Sequence, residues 1–168
     1  KVMEKLGVST QLIAPGDIFP ALELGTIDAA ELSFPALDLA LGFYEVAKHY
    51  YFPGWHQPIT FGELMINLDD WNSISSTQQA ILQSVCKESI TRTLAESEAI
   101  QFKALQELED KGVTLHRWDP EILAAFEAAW QEVVAEEAAN DSDFSRVWDS
   151  LRTFRENYKV WGDLGYID

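Results

Sequence analysis

Cysteine is almost absent from this sequence: Cys86 is the single one among 168 residues. One thiol excludes an internal disulfide framework and any zinc cage built on cysteines. Basic residues are scarce as well, with 12 Lys and Arg against 28 Asp and Glu and a formal net charge of −16. Binding to nucleic acid depends on Lys and Arg displacing counterions, so that balance excludes it, and docking on anionic lipid with it. No apolar run approaches the ~20 residues of a membrane span. No basic stretch leads into an apolar one as in a signal peptide. The three histidines, His49, His56 and His116, show neither HxxxH nor HExxH spacing, which argues against a zinc hydrolase. A Gly-rich phosphate loop and a GxSxG elbow are missing too. No nucleophile–base pair or metal triad remains, so the sequence does not describe an enzyme.

What is present is apolar and aromatic. Hydrophobic residues make up 47%, with 6 Trp, 5 Tyr and 9 Phe, which rules out a disordered acidic tail. A chain of this length forms about one domain and buries roughly 68–70% of its unfolded surface. Residues 11–14 and 27–30 are short apolar runs between turn residues and read as buried strands, with a short helix over 16–24 between them. Strand, helix, strand at that spacing suggests a crossover in a parallel sheet. Helices are expected over 35–41 and 44–49. The run Tyr50-Tyr51-Phe52-Pro53-Gly54-Trp55-His56-Gln57-Pro58 is dense in rings and breakers and reads as an ordered loop. Residues 59–68 have strand character, with Phe61, Leu64 and Ile66 as bulky positions.

Beyond Asp69 the period becomes helical. Asp69 or Asp70 caps a short helix at Trp71, and Ser75 or Ser76 caps a long one over 77–111, uninterrupted by Gly or Pro. Leu82, Cys86, Ile90 and Leu94 recur every four residues, with Leu105 and Leu108 farther on, so Cys86 is expected to be buried. About 35 residues at 1.5 Å rise span roughly 50 Å, more than a small domain covers, so this helix must pack on another lobe or another chain. Gly112 stops it, and 113–118 reads as a strand. Asp119-Pro120-Glu121 opens a helix to Ala139 with Ile122, Phe126, Ala129 and Val133 on one side. A last helix turns Phe144, Val147, Trp148, Leu151 and Phe154 inward. The acid pairs Glu136-Glu137 and Asp141/Asp143 read as a solvated face. The start of the chain, a helical turn ended by Gly7, implies that it opens inside a domain.

Two places carry chemistry. Glu31 follows an apolar run at the end of an expected parallel strand, the edge where open sheets bind ligands; it holds a cation or hydroxyl there, or it partners the N-terminus of the helix beginning near Ser33. Trp55-His56-Gln57 either lines a pocket or forms a hydrophobic plug under a turn, with His56 as a hydrogen-bonded structural residue.

The run PGDIFPALELGTIDAAEL (15–32), then LALGFYEVAKHYYFPGWHQP (39–58), resembles the periplasmic substrate-binding subunits of tripartite ATP-independent periplasmic (TRAP) transporters of the DctP type. The nearest branch binds 2-oxo acids, lactate and similar monocarboxylates. GVTLHRW and FRENYKVWGDLGY fit its C-terminal pattern, so the resemblance covers essentially the whole chain. It implies an α/β fold, the C-terminal portion of a two-lobed protein, with an α/β lobe segment at 1–68, a long lobe-spanning helix region at 69–112, and a short strand with C-terminal helices at 113–168. It implies capture of a small organic carboxylate in the periplasm, delivery to TRAP membrane permease subunits, and a homodimer. Glu31, Leu32, Trp55 and Gln57 would line the cleft, with Phe19 and Phe34 beside them.

No cofactor follows from the residues themselves. The resemblance implies a Na or Ca ion beside the substrate, held by Glu31, Leu32 and Gln57. Two positions depart from the branch. Leu32 stands where Trp is usual, keeping the carbonyl but losing a flat wall, and Gln57 stands where Glu is usual, keeping an oxygen donor but removing a charge from a hard-cation site. These departures predict a weaker cation site and a ligand larger or more apolar than pyruvate. The family's carboxylate-binding Arg falls upstream of Lys1, so a full-length protein is expected to bind the carboxylate tightly and this chain is not. The competing reading, a helical dimerisation module without a ligand, has no need of the dense aromatic loop.

Overall fold

The computed structural model describes residues 1–57, 59–60 and 62–166. In chain order the elements are α1 (Val2–Lys5), α2 (Pro15–Glu23), α3 (Pro35–Ala40), β1 (His49–Phe52), α4 (Leu68–Ser73), α5 (Ser76–Asp110), β2 (Thr114–Arg117), α6 (Pro120–Asn140) and α7 (Ser142–Gly165), with one 3₁₀ turn at Phe43–Glu45. They form two compact units, Leu12–Trp118 and Lys1–Gln11 with Asp119–Asp168.

In the larger unit, β1 and β2 pair in parallel, His49 opposite Thr114 and Tyr51 opposite His116. The chain crosses between them through α4 and α5, as parallel strands require. Helix α5 starts in a capping box: Gln78 donates its N–H to Ser75 Oγ at 3.3 Å, and Ser75 N–H donates to Gln78 Oε1 at 2.8 Å. It ends ahead of Gly112, whose φ of 84° favours glycine. Its last third packs on α3. There the side chain of Gln101 accepts a hydrogen bond from the Ala36 N–H at 3.0 Å, satisfying one of the donors that the start of α3 leaves open. Among the described residues of this unit, Ile18, Pro35, Ala104, Leu108 and Val113 are buried.

The smaller unit packs α1 and α7 on α6. Ala129 and Val134 are buried, and the Trp130 and Trp148 rings meet edge-on at 5.2 Å. Lys5 bridges Glu132 and Glu136, and Lys1 pairs with Glu137. The hydrogen bonds to these carboxylates raise both lysines above their ordinary value. Asp141 caps α7, accepting from the N–H groups of Asp143 and Phe144 at 2.8 and 3.1 Å.

Several sequence expectations change. Residues 11–14 and 27–30 are not strands, and neither are the described residues of 59–67; each lacks the ladder that defines a strand, and Phe61 and Pro58 lie outside the described residues. The aromatic run instead supplies β1, whose partner is the strand expected near 113–118. The helix expected at 44–49 is only the 3₁₀ turn, because the chain extends from His49 to join β2. The short helix at Trp71 is capped by Asn67, ahead of Asp69 and Asp70. Cys86 is exposed, as are Ile90 and Leu94, since the first two thirds of α5 present their apolar stripe to solvent. Phe144, Val147, Leu151 and Phe154 are exposed too; only Trp148 of that set is half-buried. Among the described residues, no helix is long and apolar enough to cross a membrane.

Candidate functional site

The site forms in the larger unit where two stretches of irregular chain meet. The first runs into α3 and carries Glu31 and Leu32. The second leaves β1 and carries Trp55, His56 and Gln57. Glu31 does not cap α3: that helix begins after Phe34 without a side-chain cap, and its Ala36 N–H is taken by Gln101. The carboxylate is instead exposed and lies 3.9 Å from His56 Nε2. Trp55 is half-buried with its ring 5.1 Å from that of His56. Gln57 donates from Nε2 to Thr60 Oγ1 at 2.9 Å, which turns its amide nitrogen to Thr60.

The remaining candidates stand farther along the same unit. Leu32 is half-buried beside Glu31, and Phe34 is exposed at the start of α3. Phe19, on α2, packs its ring 6.0 Å from Phe43. Gly42 lies under that ring, and a Cβ there would meet Phe19 Cε2 at 3.9 Å. The structure thus joins Glu31 to the 55–57 loop, and gives Phe19 a partner in the 3₁₀ turn.

A polar pair that sequence reasoning missed ties the two stretches together. Tyr50, in β1, donates its hydroxyl hydrogen to Asp38 Oδ2 on α3. The other carboxylate oxygen of Asp38 is buried with no hydrogen-bond partner among the described residues. Burial holds the Asp38 carboxyl above its ordinary range, the Tyr50 hydrogen bond works against that shift, and the charge of Glu31 adds to it. Burial and the Asp38 contact together push the Tyr50 hydroxyl up, so it remains a donor. The signal in the sequence was faint: an Asp in a short apolar helix with no basic residue nearby.

The oxygen donors expected here are of the kinds that a hard cation takes. A carboxylate, an amide oxygen and a backbone carbonyl are the oxygen ligands that Na or Ca ions take, with the rest of the shell left to water or ligand. Among the described residues no group of three or more His, Cys, Asp or Glu side chains could hold a metal. Of these candidates only Glu31 carries a full charge, and Gln57 is a neutral amide.

A carboxylate-bearing segment and an aromatic loop thus meet past the end of a parallel ladder, in the unit that also holds a 35-residue helix. The chain matches the bacterial extracellular solute-binding protein family 7 (DctP) over residues 1–141, and it belongs to that family. It is 32% identical over 167 residues to a monocarboxylate 2-oxoacid-binding periplasmic protein of Nostoc sp. PCC 7120, covering 99% of this chain and 46% of that protein. Solved TRAP transporter solute-binding proteins are similar in fold. One from Bordetella bronchiseptica RB50, a mixed-occupancy dimer with calcium and picolinate in its bound site, is 36% identical with a TM-score of 0.86 over 95% of this chain and 48% of its own. One from Colwellia psychrerythraea with calcium and pyruvate is 31% identical with a TM-score of 0.88 over 97% and 50%. A third, from Pseudoalteromonas atlantica T6c, with sodium and pyruvate, is 32% identical with a TM-score of 0.81 over 95% and 49%. The chain therefore spans about half the length of the relatives it matches. The expected fold class, a C-terminal portion of a two-lobed solute-binding protein, agrees with these matches. The family is one of binding proteins, not enzymes, and a ligand-free dimerisation module is not favoured.

Proposed function

We propose that this chain is the cation-bearing portion of a TRAP solute-binding subunit that captures a small organic carboxylate, of the 2-oxo or 2-hydroxy acid class, in the periplasm and hands it to membrane permease subunits. The observation that carries this reading is the meeting of Glu31 with the 55–57 loop, His56 Nε2 lying 3.9 Å from Glu31 Oε2. A Na or Ca ion bound there supplies positive charge for the carboxylate and its neighbouring oxygen. Glu31 gives the ion its one charged ligand. Gln57 and the Leu32 carbonyl add oxygen donors, and Trp55 walls the loop side. Leu32 in place of a flat aromatic ring leaves room for a ligand bulkier or more apolar than pyruvate. Calcium or sodium bound together with pyruvate or picolinate in the solved relatives supports a cation accompanying the carboxylate.

The test is calorimetric titration of pyruvate and of longer 2-oxo acids, with and without Ca2+, on the longest open frame containing these residues. The expected result is Ca2+-dependent binding that favours the longer acid and is lost in Glu31→Gln. Unchanged affinity in Glu31→Gln contradicts the reading. The same reading pairs two subunits, as supported by the dimeric Bordetella relative, and assigns the pairing to the exposed apolar residues Val147, Leu151 and Phe154 of α7.

A further inference from the structure

The parallel ladder brings together two histidines that lie 67 residues apart in the chain. His49 opens β1 opposite Thr114, and His116 sits in β2 two residues beyond Thr114, so both side chains rise from the same face of the sheet. His49 Nδ1 and His116 Nε2 face each other at 3.0 Å. The His116 ring is held in place by Tyr51, stacked on it at 4.6 Å and 16°, and Tyr51 stacks in turn on Trp118 at 4.6 Å and 26°. The His49 ring is tilted 43° to its partner. The pair is open to solvent.

We propose that His49 and His116 form a two-imidazole site for a divalent transition-metal ion, with Cu2+ preferred and water completing the coordination shell. Two nitrogens bound to one ion at ~2.0–2.1 Å lie ~2.9 Å apart in a square-planar arrangement and ~3.4 Å apart in a tetrahedral one. The observed 3.0 Å falls between those values, so the two nitrogens already have the spacing of ligands on one ion, which takes both once their hydrogen bond breaks and the rings turn to aim their lone pairs at it. Nitrogen ligands select against Na and Ca ions, which take oxygen, and the order of stability across the first-row metals places Cu2+ highest. This site is chemically distinct from the one around Glu31, nitrogen donors standing against oxygen donors. It bridges β1 and β2, and β1 runs directly into the 55–57 loop, so an ion held here staples the base of that loop. Motif spacing could not reveal it, because strand pairing and not helical periodicity creates it.

The test uses the 168-residue chain carrying Cys86→Ser, which removes the exposed thiol as a competing ligand and reductant of Cu2+. Cu2+ is titrated in excess Ca2+, which occupies carboxylates and the Glu31 site, and the bound ion is examined by low-temperature electron paramagnetic resonance. The expected spectrum has hyperfine splitting from two equivalent nitrogens at one ion per chain. His49→Gln and His116→Gln each weaken Cu2+ binding by more than about tenfold, the scale on which even outer-shell partners act. His56→Gln leaves it unchanged. Oxygen-only coordination in the parent chain, or equal affinity in all three variants, overturns the proposal. The spectrum of the parent chain decides the matter even if a variant folds poorly, and neither result depends on carboxylate binding at Glu31.

Discussion

Asp38 and Tyr50 are the residues on which the site's alignment turns. Their hydrogen bond joins the helix that follows Glu31 to the strand that precedes Trp55, so the two halves of the site are registered against each other by one hydroxyl. Tyr50→Phe keeps the ring and deletes that donor, leaving both oxygens of a partly buried carboxylate unsatisfied. The expected cost is about 1–3 kcal/mol in denaturant unfolding. Asp38→Asn retains an acceptor and removes the charge that burial disfavours. Since burial raises the Asp38 carboxyl in the folded protein, its contribution is fully present below the ordinary value of 3.8 and is lost as pH rises through the higher folded value. The stability of Asp38→Asn relative to the parent is therefore predicted to increase with pH across that window, as read from unfolding curves at a series of pH values. A difference that is flat with pH contradicts this assignment. At this scale the sequence was half legible. Glu31, Leu32 and Gln57 stood out because they occupy a distinctive run, whereas the Asp38–Tyr50 and His49–His116 pairs depend on which strand joins which, and no local spacing encodes that.

At the scale of elements, local chemistry decided what could be read in advance. The long helix α5 was legible because its stop and start signals are strong: Ser75 and Gln78 form the box, and Gly112 stands beyond its end. Ser75→Ala is expected to cost about 1 kcal/mol. Leu108, 2% exposed, anchors the end of that helix in the core, and Leu108→Ala is expected to cost about 2–5 kcal/mol, with thermal unfolding as the measurement. The strands were less legible. Apolar runs such as 11–14 and 27–30 carry strand propensity, but a strand exists only where a neighbour supplies hydrogen bonds. Tyr50-Tyr51-Phe52, read as a loop for its density of rings beside a Pro-Gly step, has such a neighbour in Leu115-His116-Arg117 and becomes β1.

For the molecule as a whole, the exposed apolar surface is the governing fact. Val147, Leu151 and Phe154 on α7 and Ile81, Val85 and Ile90 on α5 are each more than a third exposed. The inward faces foreseen from helical periodicity are real stripes whose cover is not supplied by the described residues. If a second copy covers α7, sedimentation should show a dimer that Leu151→Glu converts to a monomer; an unchanged sedimentation coefficient would exclude α7 from the interface.

The claim at the centre of this account is that Glu31 and Gln57 belong to one hard-cation site. Calorimetric titration of the 168-residue chain with Ca2+ at physiological ionic strength, compared with Glu31→Gln and Gln57→Glu, tests it most directly. The account predicts one saturable site, weakened about tenfold (~1.4 kcal/mol) when the Glu31 charge is removed and strengthened by a similar factor when a charge is added at position 57. Three superimposable isotherms would contradict it.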